Sequence, residues 1–144
     1  MALGFRKVKR KVMNGPEEGQ EKYYAMAMTT NVTTFDKMCN LIASRSTVSS
    51  ADIKGVLDSL NWAMDMELKS GNIVQLGELG NFRLSLSSEG VTTEEEVTAE
   101  RIRGARIIFS PGAMLRDTRR KVTFAPAKVI EKVVVKEPED PEGI

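Results

Sequence analysis

"GNIVQLGELGNFRLSL", residues 71–86, sets Gly71, Gly77 and Gly80 between two apolar runs. Glycine-rich stretches invite a phosphate-binding reading, and the pattern around them decides it. A dinucleotide-binding turn needs a strand, then G-x-G-x-x-G, then a helix whose N-terminus meets the pyrophosphate; a P-loop needs Lys and then Ser or Thr after its last glycine. Here the glycines are too widely spaced. The residues after Gly80 place Phe82, Leu84 and Leu86 in strand-like alternation, not on a helix. Gly77 and Gly80 are therefore expected to supply backbone angles or close approaches that a side chain would block.

Upstream, Phe35, Met38, Cys39 and Ile42 fall at i, i+3, i+4 and i+7, which predicts a helix with Thr33 or Thr34 as its N-cap. A second helix is predicted from Ser49-x-x-Asp52, close to a capping box, with Val48 placed as a hydrophobic staple. Ile53, Val56, Leu57, Leu60, Met64 and Leu68 form its apolar stripe, and Gly71 ends it. Trp62 and Met66 lie on another face, so this helix is apolar on more than one side, which a partner subunit would cover. At the N-terminus "FRKVKRKV" (5–12) reads as a strand with a basic face, "NGPEEGQE" (14–21) as a loop and "KYYAMAM" (22–28) as a second strand. Near the other end, Ser110 and Pro111 are expected as N-cap and first residue of a short helix.

Composition excludes several function classes. The 144 residues contain no histidine, which removes Ser-His and Cys-His nucleophile pairs and His-containing metal sites. No metal or other cofactor is expected, and no enzyme. The single cysteine, Cys39, excludes an internal disulfide, fits a reducing compartment and is expected in the core. No apolar run approaches the roughly 18 residues of a membrane span, and "MALGFRKVKRKV" lacks the apolar stretch of a secretory signal. These features imply a cytoplasmic protein without a membrane partner. Net charge is +1, but it is unevenly spread. Arg6, Lys7, Lys9, Arg10 and Lys11 cluster with no acid among residues 1–12. Residues 85–110 set five glutamates against three arginines, a balance of 3 − 5 = −2.

Two motifs carry a family resemblance. Val74-Gln75-Leu76 followed by Leu79-Gly80-Asn81-Phe82 resembles the V-x-L-x-G-F-G-x-F signature of bacterial HU and integration-host-factor proteins. Phe109-Ser110-Pro111-Gly112, then Leu115-Arg116-Asp117, resembles the F-x-P-G-x-x-L-K-D segment that closes their fold. The helix pair 34–70 has the family's spacing. "KYYAMAM", "STVSSADI" and "LSLSSEGVTTEEE" resemble a longer HU-like subfamily found in Bacteroidetes.

The resemblance implies an α+β, IHF-like (HU-like) DNA-binding fold. Its parts would be two N-terminal helices, a three-stranded antiparallel sheet with a β-ribbon arm, and a short C-terminal helix, with extra N-terminal strands added here. It divides the chain into an extension (1–32), an HU-like domain (33–125) and a tail (126–144) whose last eight residues are too polar to pack. It also implies a nucleoid-associated homodimer that binds duplex DNA through the backbone, with basic arms in the minor groove and an apolar wedge at each arm tip.

The departures are specific. Ser85 and Ser87 stand where such arms carry arginines, and no proline lies between Phe82 and Phe109. Val91 and Val97 are the apolar candidates for a wedge. DNA contacts are expected from Arg6, Lys7, Lys9, Arg10 and Lys11, from Arg101, Arg103 and Arg106 on the returning side of the arm, and from Arg116, Arg119 and Arg120. The N-terminal cluster fits equally a solvated edge strand protected from aggregation, and Arg119 and Arg120 fit a solvated surface. Tyr23 and Tyr24 are expected to pack within their strand, although bases could stack on them. The acidic arm leaves a second reading open, an HU-like scaffold used for protein–protein assembly.

Overall fold

The computed structural model describes residues 1–127. In chain order the elements are β1 (Ala2–Lys11), β2 (Glu21–Ala27), α1 (Phe35–Ser44), α2 (Ser50–Lys69), β3 (Val74–Gln75), β4 (Gly80–Ser88), β5 (Ile102–Pro111), α3 (Ala113–Lys121) and β6 (Thr123–Pro126). The fold is mixed α+β, with three helices and two three-stranded sheets among the described residues. Residues 1–30 and 122–127 belong to one compact unit, residues 31–121 to another. The predicted tail beyond 127 lies outside the described residues.

The first unit is a sheet of order β2-β1-β6. β1 and β2 pair antiparallel from Phe5 opposite Ala27 to Lys11 opposite Glu21. Their loop is closed by the Val12 N–H donating to the Gln20 carbonyl at 2.8 Å and the Gly19 N–H donating to the Val12 carbonyl at 2.9 Å. β6 adds parallel to β1, with Ala2 opposite Thr123 and Phe5 opposite Pro126. A proline fits there because it ends an edge strand.

In the second unit, local sequence sets the helix ends. The Thr34 hydroxyl accepts from the Lys37 N–H at 3.2 Å and caps α1; Ser49 accepts from the Asp52 N–H at 3.2 Å and caps α2. α2 stops where Gly71 turns to φ +82°. There the Gly71 N–H donates to the Leu68 carbonyl and the Asn72 N–H to the Glu67 carbonyl, satisfying two orphan acceptors. Cys39, Ile53 and Leu68 are the buried apolar residues, so Cys39 is core as expected. The Lys54 ammonium reaches the Asp36 carboxylate at 2.7 Å, tying α2 to α1.

The sheet of this unit runs β3-β4-β5, antiparallel throughout. Gly80 opens β4 buried and at φ +135°, and a Cβ built there would lie 2.3 Å from the Ser110 carbonyl oxygen. A Cβ on Gly112 would lie 2.1 Å from the Glu78 carbonyl oxygen. The two glycines let the turn before β4 and the junction of β5 with α3 close on each other, and the Gly112 N–H donates to the Leu79 carbonyl at 3.0 Å. The structural role expected for Gly80 is met, and Gly77 likewise adopts φ +57°.

One expectation is corrected. Ser110 and Pro111 do not begin a helix; they are the last residues of β5, opposite Asn81 and Gly80. Cross-strand pairing extends β5 through them, and α3 starts after Gly112. Proline is tolerated because β5 is an edge strand and Pro111 is its final residue.

Candidate nucleic-acid interface

Strand alternation decides what the N-terminal cations can do together. Arg6, Val8 and Arg10 share one face of β1 with Met26, Tyr24 and Lys22 opposite them on β2. Lys7, Lys9 and Lys11 share the other face, opposite Ala25, Tyr23 and Glu21. The five cations therefore form two patches, a pair of arginines and a row of lysines. Lys9 is engaged: its ammonium lies 2.5 Å from the Glu21 carboxylate and 5.9 Å from the centre of the Tyr23 ring. Among the described residues, Arg6, Lys7, Arg10 and Lys11 have no carboxylate at ion-pair distance. The expected packing of the tyrosines is corrected. Tyr23 is 72% exposed and Tyr24 44% exposed, because none of the described residues of this unit covers either face near the hairpin loop.

The second unit presents the β4–β5 hairpin. Phe82, Leu84 and Leu86 stand opposite Phe109, Ile107 and Ala105, forming an apolar face in which the Phe82 and Phe109 rings meet at 4.8 Å. Beyond that contact the face is open, and Leu86 and Ile107 are mostly exposed. The opposite face pairs Arg83 with Ile108 and Ser85 with Arg106. Arg83 and Arg106 are thus diagonal neighbours, roughly 7–8 Å apart at the backbone. Sequence reading missed Arg83. The signal was present: alternation that turns Phe82 and Leu84 to one side turns Arg83 to the other.

The register slips by one residue at Ser87–Ser88, leaving Arg103 as the extra residue of a bulge. At the far end the Glu89 N–H donates to the Arg101 carbonyl at 3.1 Å, and the Arg101 guanidinium meets the Glu89 carboxylate at 3.2 Å. Arg101 is therefore neutralised locally. Glu94, Glu95 and Glu96 form one turn of 3₁₀ helix in the connection between the strands, followed directly by the exposed Val97, while Val91 is half-buried.

α3 carries Arg116, Arg119 and Arg120 at i, i+3 and i+4, on one face of a helix that is exposed along its length. Lys121 pairs with Asp117 at 2.8 Å, and among the described residues no carboxylate lies at ion-pair distance from the three arginines. Among the described residues no group of three or more His, Cys, Asp and Glu side chains could hold a metal ion, and no helix is long and apolar enough to cross a membrane.

The HU-HIG family model, described as an HU domain fused to wHTH, Ig or a glycine-rich motif, matches residues 1–126. No curated protein matches the chain. Among solved structures, the fold is similar to that of a Bacteroides vulgatus protein described as a "putative bacterial DNA binding protein", with a TM-score of 0.61 at 13% identity. The similarity covers 87% of this chain and 47% of that one, so this chain spans about half the length of its structural neighbour.

Proposed function

The chain belongs to the HU-HIG family, and on that footing we propose that it is a non-enzymatic, histone-like DNA-binding protein. It holds duplex DNA through phosphate contacts with little sequence preference, as a nucleoid-associated protein of the cytoplasm. One observation carries the reading. The chain has 21 basic and 20 acidic residues, yet among the described residues nine of its eleven candidate DNA-contacting cations have no carboxylate partner. Cations left unpaired on exposed strands and on α3 are available to phosphate.

The mixed α+β fold supports an IHF-like reading, in which the β4–β5 hairpin acts as the DNA-gripping arm. A homodimer accounts for apolar surface that the described residues leave uncovered, above all Val56 at 64% and Trp62 at 66% exposure on α2. The test is a gel shift on mixed-sequence duplex across a salt series. Binding that weakens linearly in log–log coordinates, with little change between unrelated sequences, is the expected result. A chain that binds no duplex even at low salt would overturn the reading and leave protein–protein assembly in its place.

A further inference from the structure

The arginine face of the β1–β2 hairpin differs in kind from the lysine face. Val8 and Met26 floor it, the Tyr24 ring stands beside them, and Arg6 and Arg10 flank the ring along β1. The Arg6 guanidinium reaches the Met26 Sδ at 3.5 Å, so its stem lies over the apolar floor. Toward the hairpin loop the face deepens into a cavity of about 550 Å³, whose lining includes Val8, Arg10, Met13, Tyr24 and Met26, with Lys11 also at its wall. That volume lies within the roughly 300–1,000 Å³ range of ligand-binding clefts.

We propose that this face binds single-stranded nucleic acid, with an unpaired base stacked on Tyr24 and backbone phosphates held by Arg6 and Arg10. The proposal rests on the DNA-binding reading and specifies which form of the ligand this face takes. An aromatic ring on a thioether-lined floor, between two cations, complements a flat apolar body joined to anions. A duplex does not offer that combination, because its base faces are hidden in the stack. Arg6 and Arg10 are four residues apart on an antiparallel strand, about 14 Å along it. That separation is too large for both to serve the phosphates of one nucleotide, and it fits a strand running along β1. The neighbouring cation Lys22 is held by Glu17, which leaves the two arginines as the phosphate contacts.

The experiment is anisotropy titration of the full chain against fluorescein-labelled oligo-dT and a mixed-sequence duplex of equal length. Wild type binds both. Tyr24→Ala raises Kd for oligo-dT about 5- to 150-fold, the loss of one stacked base, while Tyr24→Phe keeps the wild-type value. Arg6→Thr with Arg10→Thr lowers the single-strand salt slope by about 1.4, whereas Lys7→Thr with Lys9→Thr leaves it unchanged. Should Tyr24→Ala fail to fold by circular dichroism, the Phe variant and the double arginine variant carry the test. Wild-type affinity of a folded Tyr24→Ala for oligo-dT, or equal weakening on duplex and single strand, overturns the inference. Duplex binding without any oligo-dT binding overturns it alone, and binding to neither removes the DNA-binding reading as well.

Discussion

Replacing Lys7, Lys9 and Lys11 together with Thr measures how much of the duplex affinity resides on the N-terminal strand. Threonine is chosen because a β-branched residue keeps the strand propensity of β1 while removing the charge. The structure sets the size of the effect. The three lysines occupy one face, so one duplex can meet all of them, whereas the arginines point to the other side. Each phosphate contact on B-form DNA contributes about 0.9 to the log–log salt slope. Among the described residues Lys7 and Lys11 have no acidic partner, which gives a loss of about 1.8. Lys9 must leave Glu21 and the Tyr23 ring to reach a phosphate, so it contributes between nothing and a further ~0.9. The expected loss is therefore about 1.8 to 2.7 units.

The comparison is the hairpin variant Arg101→Thr, Arg103→Thr, Arg106→Thr. Arg101 is held by Glu89, so only Arg103 and Arg106 are free to contribute, with a ceiling of about 1.8. Titrations of one mixed-sequence duplex between about 50 and 200 mM salt resolve the difference, since a slope change of 1.8 alters the affinity ratio across that range about tenfold. A hairpin variant that loses more slope than the lysine variant would refute the argument: the hairpin would then grip DNA as in related arms, and the N-terminal lysines would be a solvated edge.

Sedimentation at micromolar concentration is expected to give about twice 15.9 kDa, and a clean monomer would remove the dimer from the account. Gly80→Ala should cost about 3 kcal/mol or more in urea denaturation, because its Cβ meets backbone at 2.3 Å and its φ is positive; a loss under about 1 kcal/mol would show that the β5–α3 junction yields freely. Gly55→Ala in α2 meets nothing within 4 Å and should stabilise by about 0.5–1 kcal/mol in the same assay. The hydrogen bond from Lys54 to Asp36, and the attraction of their charges, hold the Lys54 pKa above its usual 10.5. The small stability this supplies is complete below pH 10.5 and is lost as pH rises through the folded-state value, a dependence that Asp36→Asn should abolish in pH-dependent denaturation.

What the sequence disclosed and what it withheld divide along the range of the interactions. The caps at Thr34 and Ser49 and the stop at Gly71 were legible because each is decided within a few residues. Ser110-Pro111 carries an equally local helix-start signal, yet pairing with Asn81 and Gly80, about thirty residues away, overrides it. β6 has no local signature, because its partner β1 lies at the other end of the chain. The basic cluster at 6–11 was visible as a count of charges, but the β1–β2 register was needed to divide it into two faces. The same register shows Tyr23 and Tyr24 on faces that none of the described residues of their unit covers, which no strand pattern reveals.

Near-neutral net charge argues little against a polyanionic partner, because a phosphate senses charge only within a screening length of about 8 Å at physiological salt. What matters is where the acids sit. Glu17 and Glu21 hold lysines of the β1–β2 hairpin, Asp117 holds Lys121, and Glu89 holds Arg101 at the far end of the β4–β5 hairpin. The uncompensated Glu94–Glu96 turn lies in the connection at that same end, whereas Arg83 and Arg106 stand together lower on the strands. The hairpin thus offers phosphate an attractive middle and a repulsive end. An apolar wedge such as Val97 would have to enter the minor groove directly behind three carboxylates, where the electrostatic potential of the groove opposes them. On the proposed function, grip at the middle of the hairpin and at the lysine row of β1 would supply affinity without that insertion. If the chain holds duplex DNA as proposed, the absence of an arm-tip proline and the carboxylates beside Val97 predict that it does so with little kinking.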